Sequence, residues 1–299
     1  MADPELRLRR SVLYVPAGNP RARAKAASLD WDAVVFDLED AVAPDAKARA
    51  RGGLVQAVRG HAADGRYGGR EVVVRINGTD TADFAADLDA VASCRPHGVL
   101  LPKIDGPDAL AVVADACRAR SLADGLRLWA MVETPAALLS LDAIATAGVA
   151  ASPRLDCLVI GTNDLAKDTG VSMADGRLHL RPWLMQAVLV AKRHRLAVLD
   201  GVWNDFADRA GFEAECAEGR AMGFDGKTLI HPTQIDAANR AFGATPDELA
   251  EAQRIVDAFA RPEHAGAGVV NLGGRMAERL HLAQAERLLA RAEAIASRR

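Results

Sequence analysis

The run AVVFDLEDAV, residues 33–42, sets four apolar residues directly before a cluster of three carboxylates, Asp37, Glu39 and Asp40. A strand that carried those acids on into the interior would bury charges at a cost of roughly several kcal/mol each unless they were paired or bound to a cation. The segment therefore reads as a buried strand that ends where its acids begin, at a mouth.

Similar short runs recur about every 25 to 35 residues along the chain: SVLYV (11–15), AVVFDL (33–38), EVVVRI (71–76), GVLLPK (98–103), LWAMVE (128–133), DCLVIG (156–161), LAVLDG (196–201) and GKTLIH (226–231). Between them lie Ala-rich amphipathic segments with caps or breakers at their ends, such as TADFAADLDAVAS and GPDALAVVADACRAR. Strict alternation of strand and helix argues for a parallel sheet. Eight such units, with strands apolar on both faces, predict an α/β fold closed into a (β/α)8 TIM barrel rather than an open sheet. The barrel is placed at residues 1–261. Helices follow the eighth strand at about 232–240 and 246–258. RPEHAGAGVVNLGGRM then reads as a Gly-rich hinge and 275–297 as a last helix. Residues 262–299 are thus a C-terminal helical extension, a lid or a segment exchanged with a neighbouring subunit.

Composition narrows the function classes. The chain has 299 residues, half of them hydrophobic and 4% aromatic, and a formal net charge of -3. Nothing in this balance attracts nucleic acid or an anionic membrane, so an anionic substrate must be held by local cations. Cys94, Cys117, Cys157 and Cys216 form no CxxC pair, which suggests neither a zinc site nor a disulfide framework. The N-terminus MADPELRLRR has no apolar signal region, and no run approaches the ~20 apolar residues of a membrane span, so the expected location is cytoplasmic.

Barrels of this kind carry their chemistry at the C-terminal ends of the strands. There the sequence places Asp37, Glu39 and Asp40; Arg75 and Asn77; Lys103; Glu133; Asn163 and Asp164; Asp200, Trp203 and Asn204; and Lys227 and His231. Glu133 and Asp164 end consecutive strands. Two oxygen ligands without a nearby His or Cys suit a hard divalent ion, Mg²⁺ or Mn²⁺. An N-cap role for Asp164 and a salt bridge for Glu133 are the alternatives. Arg75 ends a strand too apolar for an unpaired guanidinium, so it needs an anionic partner: a substrate carboxylate gripped two-prongedly, the nearby acids, or both. For Lys103 a contact with a carboxylate is the plainer reading beside a Schiff base. The helix after VPAGN opens with Pro20, Arg21 and Arg23 and runs on through Lys25. Its N-terminus with these cations is a ready phosphate site, although solvated surface cations explain the same residues equally well. His231 reads as a base or as a hydrogen-bonded histidine at a helix start.

In order, RSVLYVPAGNPR, DAVVFDLEDAVAPDAKARAR, VVVRINGTD, LLPKI, MVETPAAL, GTNDLAKDTG and GFDGKTLIHPTQI resemble the citrate lyase β-subunit-like family of the HpcH/HpaI aldolase superfamily, which includes malyl-CoA and citramalyl-CoA lyases. The resemblance covers nearly the whole chain. It implies a metal-dependent carbon–carbon lyase acting on a β-hydroxyacyl-CoA such as malyl-, methylmalyl- or citramalyl-CoA, giving an α-keto acid and an acyl-CoA. It implies Mg²⁺ on Glu133 and Asp164, and a substrate carboxyl held by Arg75. Asp37 and Asp40 would be catalytic residues that line the metal pocket and pair with Arg75, and Lys103 and Asn204 would touch substrate. Coenzyme A, as part of the substrate, would meet Arg21 and Lys25. It further implies a homotrimer or homohexamer. Related lyases often carry a DGKMVD-like segment whose last acid serves as base in an adjacent subunit. The matching stretch here is LGGRMAERL, with Gly273 and Arg275 in place of the acid and lysine and Glu278 as the nearest acid. That departure keeps other reactions open: an acyl-carrier-protein thioester as substrate, a thioesterase, an aldolase on free hydroxy-keto acids, or a binding subunit without chemistry.

Overall fold

The structure is a computed structural model and describes residues 7–64 and 67–298. Eight parallel strands, β1 (Ser11–Pro16), β2 (Ala33–Asp37), β3 (Glu71–Arg75), β4 (Gly98–Leu101), β5 (Arg127–Val132), β6 (Arg154–Ile160), β7 (Ala197–Asp200) and β8 (Gly226–Leu229), pair in chain order. β8 pairs back onto β1, Val12 opposite Thr228, so the sheet closes. Each of the eight apolar runs forms one strand, with helices in between.

Alternation along each strand sorts side chains into two cores. Val12, Val35, Val73, Leu100, Trp129, Val159 and Leu199 point inward and fill the barrel. Leu13, Val34, Phe36, Val74, Val99 and Leu128 point outward under the helices. Each such aliphatic side chain contributes about 1.5–3 kcal/mol when fully buried, which is why strands buried on both faces are nearly free of polar residues until they reach the rim. At the N-terminal mouth Arg9 lies over the Trp129 ring, 4.6 Å from its centroid, and donates from Nε and Nη2 to Glu71 at 2.7 and 2.9 Å. A Cβ on Gly226 would stand 1.8 Å from the Arg9 carbonyl oxygen, so β8 passes this point only as glycine.

A buried ion lattice ties the C-terminal end of β7 to the start of β8, where Lys227 is the second residue and not, as the sequence suggested, a strand-end group. Arg177 grips Asp200 with both terminal nitrogens at 2.7 and 2.9 Å and donates from Nε to Glu218 at 2.9 Å. Lys227 reaches Asp200 at 3.2 Å and Glu215 at 2.6 Å. Arg177, Asp200 and Lys227 are essentially inaccessible to solvent. The four cysteines are buried and unpaired, and burial pushes the thiols of Cys94, Cys117 and Cys216 up to about 11 or 12.

The chain divides into two compact units: Arg9–Phe242, which is the barrel, and Gly243–Arg299 with the residues before Arg9. This division falls earlier than the 261/262 boundary read from sequence, because the helix Pro246–Phe259 packs on the helix Arg279–Ala296. The Gly-rich connector is not an open hinge. It forms an antiparallel hairpin of β9 (Val269–Leu272) and β10 (Arg275–Glu278), turning at Gly273 and Gly274 with φ of +57° and +88°, a backbone that glycine adopts without strain. The last helix accordingly begins at Arg279 and not at 275.

Replacing Arg177 by Met should cost about 3–5 kcal/mol, because Asp200, Glu215 and Glu218 would keep only part of their buried counter-charge. Urea unfolding of the two proteins measures the difference.

Candidate active site

A cavity of about 360 Å³ opens at the C-terminal end of the barrel, lined among others by Tyr14, Asp37, Asp40, Arg75, Met131, Ile160, Thr162, Asp164, Val202 and Asn204. Its position follows from the fold, since the strands stop being apolar where they leave the packed interior.

The acids of the opening stretch organise one wall. Asp37, at the end of β2 and opposite Arg75 in register, accepts backbone N–H groups from Glu39 at 2.9 Å and Ala41 at 3.2 Å. Its two oxygens also take the Nε and Nη2 of Arg75 at 2.8 and 2.6 Å. Lys47 supports the turn from behind, donating to the carbonyls of Leu38 and Glu39 and to Asn77. The two-pronged fork of Arg75 is therefore filled by Asp37, whereas the sequence had left it open to a substrate carboxylate. Its Nη1 edge lies 2.8 Å from Glu39 and 3.5 Å from Asp40. These partners hold the guanidinium pKa above its ordinary value despite burial. Asp40 itself is exposed at the cavity wall, its side chain 67% accessible.

Glu133 follows β5 and is buried, 2% exposed. Burial, with the negative charges of Glu39 and Asp164 nearby, pushes its pKa up to about 7. Its Oε1 accepts the backbone N–H of Lys103 at 2.8 Å. On its other side a Cβ on Gly161 would meet the Glu133 Cβ at 2.4 Å and Oε2 at 2.7 Å, so glycine there makes room for the carboxylate. Asp164 stands in the first turn of the helix Thr162–Thr169 that follows β6, where it lines the cavity. Helix Thr162–Thr169 has no side-chain cap, so Asp164 is not spent as an N-cap.

Lys103 adopts φ +51°, a left-handed conformation that costs an L side chain about 1–2 kcal/mol. Its ammonium is 3.5 Å from Glu39 Oε1. Asn204 exchanges side-chain hydrogen bonds with Asn163 at 2.8 and 3.3 Å, joining the loop after β7 to the helix after β6 across the cavity rim.

Other expected residues stand apart from this group. Arg21 and Lys25 are exposed on the helix Pro20–Ala26, whose first N–H groups are already taken by the Asn19 side chain. His231 caps the turn Pro232–Gln234 and stacks on Phe206, ring centroids 5.0 Å apart; it is a histidine at a helix start. Glu278 precedes the helix Arg279–Ala296 within the C-terminal unit, and its backbone N–H donates to the His281 ring Nδ1 at 2.9 Å. Asn77 is structural, bonded to Leu38 and Asp87. Sequence reading did not single out Tyr14, Thr162 or Gly161. The period-two alternation from inward-facing Val12 places Tyr14 inside the barrel, and that signal was available. The hydroxyls of Tyr14 and Thr162 are buried without a hydrogen-bond partner among the described residues.

Five carboxylates, Asp37, Glu39, Asp40, Glu133 and Asp164, thus share the rim with two cations, Arg75 and Lys103. Among the described residues no group of three or more His, Cys, Asp or Glu side chains is arranged to hold a metal alone. Two carboxylates, one of them buried and held at one oxygen, fit a hard divalent ion that fills its remaining positions with water and substrate oxygens.

Residues 10–232 match the HpcH/HpaI aldolase/citrate lyase family. The chain is 44% identical to a protein of Cereibacter sphaeroides named (3S)-malyl-CoA thioesterase, over 96% of each chain. It is 31% identical to the human mitochondrial citramalyl-CoA lyase, over 96% of this chain and 86% of that one. Among solved structures it resembles CitE of Mycobacterium tuberculosis in complex with magnesium, acetoacetate and coenzyme A, with a TM-score of 0.73, 30% identity and coverage of 95% and 97% of the two chains. A closed barrel with this charged rim and these relatives along its whole length belongs to the HpcH/HpaI aldolase/citrate lyase family.

Proposed function

We propose that the protein acts on the coenzyme A thioester of a short β-hydroxy dicarboxylic acid of the malyl type, with Mg²⁺ held by Glu133 and Asp164, and that it hydrolyses the thioester. The observation that carries this reading is the excess of carboxylate over cation at the rim, in a chain 44% identical end to end to a malyl-CoA thioesterase. CitE of Mycobacterium tuberculosis, solved with magnesium and coenzyme A, supports the ion and the thioester class.

The bound ion would polarise substrate oxygens and offset the negative charge that develops on them. The chain's own residues do the rest. Nη1 of Arg75, outside the fork filled by Asp37 and shared with Glu39 at 2.8 Å, takes the substrate's free carboxylate. Met131, Ile160 and Val202 cover the acyl chain. Asn204 and Asn163 offer amide donors and acceptors at the rim. Asp40, exposed on the cavity wall, accepts a proton from the attacking water. The water oxygen bonds to the thioester carbon, the C–S bond breaks, and that proton passes to the leaving sulfur, giving the free acid and the thiol.

A second reading, cleavage of the C–C bond to a keto acid and an acyl-CoA, is favoured by the relatives named citramalyl-CoA lyase and L-malyl-CoA/beta-methylmalyl-CoA lyase, each 31% identical. It ranks second because those relatives are 31% identical against 44% for the malyl-CoA thioesterase, and because LGGRMAERL departs from the lyase pattern.

Incubation with malyl-CoA and Mg²⁺ should release free thiol and malate without glyoxylate; glyoxylate formed together with acetyl-CoA would establish the lyase reading instead. Glu133→Ala and Asp164→Ala should each lower turnover more than about 100-fold with the far-UV circular dichroism unchanged, because both residues stand at the rim. Arg75→Lys should raise KM about 10-fold, the loss of one charge-assisted hydrogen bond, and weaken Mg²⁺ binding far less. The raised pKa of Glu133 sets a pH dependence. Folding without divalent ions favours its protonated form, so the stability this provides is full below the unfolded carboxylate pKa of about 4.3 and is lost as pH rises through about 7. Added Mg²⁺ should restore stability above pH 7, and Glu133→Gln should flatten both effects in thermal melts.

A further inference from the structure

Lys103 touches both Glu133 and Glu39 at the charged rim, through different parts of itself. Its backbone N–H donates to Glu133 Oε1 at 2.8 Å. Its ammonium stands 3.5 Å from Glu39 Oε1, and the other oxygen of Glu39 is 2.8 Å from Arg75 Nη1. The N–H is aimed at Glu133 by a left-handed backbone, φ +51°, at a position where glycine would carry no strain. A lysine kept in that conformation, immediately beside a buried acid, is the kind of outlier from which a functional role is inferred.

Resting on the Mg²⁺ reading above, we propose that Lys103 is a positioning residue with two separable tasks. Its main chain fixes Glu133 so that Oε2 is left for the ion, and its ammonium neutralises Glu39 so that Arg75 keeps an outer N–H for the substrate carboxylate. The carboxylate of Glu133 is confined between two constraints. Oε1 is held by the Lys103 N–H, and Gly161 lies against Cβ and Oε2, with no side chain to push them away. A hydrogen bond to one oxygen of a ligating carboxylate orients the other, and loss of such support commonly costs 10- to 100-fold in metal affinity. Glu39 Oε2 has ion-pair contact with Arg75 but no aligned hydrogen bond, so the pair is adjustable. Lys103, 56% exposed along its side chain, is the solvent-facing partner of the buried Glu39.

The two tasks separate by substitution. Glycine and asparagine adopt the left-handed backbone readily, and valine does not. Mg²⁺ binding, followed by calorimetry without substrate, should be kept within about threefold of wild type in Lys103→Gly and Lys103→Asn and weakened on the order of 10-fold or more in Lys103→Val. Binding of oxalate, a stand-in for a keto-acid carboxylate, to the Mg²⁺-loaded protein should fall on the order of 10-fold in the Gly and Asn variants, which lack the ammonium. Circular dichroism and thermal melts check that each variant is folded, and the Gly and Asn pair does not depend on the Val variant folding. Equal Mg²⁺ affinity in Gly, Asn and Val variants would overturn the backbone task. Unchanged oxalate affinity in the Gly and Asn variants would overturn the side-chain task. Failure of wild-type protein to bind Mg²⁺ at all would instead overturn the metal reading, and this inference with it.

Discussion

A guanidinium taken out of water must be neutralised, and the rim of this barrel is built around that requirement. Arg75 ends a strand whose other residues are buried, and its charge is met by Asp37 in a fork, by Glu39 on the outer edge and by Asp40 further out. The answer overshoots. With Glu133 and Asp164 added, negative charge exceeds positive in a region of low dielectric, where each uncompensated charge is expensive. Burial, with the charges of Glu39 and Asp164 adding to it, raises the pKa of Glu133. Carboxylates gathered in this way at a rim suit a divalent cation.

The fold was legible because its strands obey a strong constraint. A strand buried on both faces tolerates few polar residues, so eight apolar runs separated by helical segments give the barrel away. Much of the site was legible for the complementary reason: where such a run ends, the first polar residues stand at the rim, as Asp37, Arg75, Glu133 and Asp164 do. Features that depend on backbone torsion were not. Lys103 looks like an ordinary lysine until its positive φ is known, and Gly161 looks like a loop glycine until the space it leaves for Glu133 is measured. The Gly273–Gly274 pair has the composition of a flexible connector, yet it serves a tight hairpin turn, which composition does not distinguish. Glu278 carries the charge of a base, and its main chain is tied to His281 at the start of the last helix, a placement that charge and spacing do not specify.

Relatives of this chain are named for two different reactions of the same thioester class. Hydrolysis and C–C cleavage of such a thioester differ in which proton moves and to which acceptor. By resemblance, the sequence departs from the lyase pattern at LGGRMAERL, while Arg75, Glu133 and Asp164 stand where the apolar runs end.

The lattice of Arg177, Asp200, Lys227, Glu215 and Glu218 lies under the strand ends next to the wall that carries Val202, Asn204 and Thr228. Arg177, Asp200 and Lys227 satisfy one another out of reach of solvent, with Glu215 and Glu218 at the lattice's partly exposed edge. The scaffold beneath that wall is consequently anchored by groups other than those that face the cavity. Residues lining the wall are then free to drift in size and polarity over evolutionary time without loosening the framework below them, which gives a barrel of this design latitude to acquire new acyl preferences by single replacements.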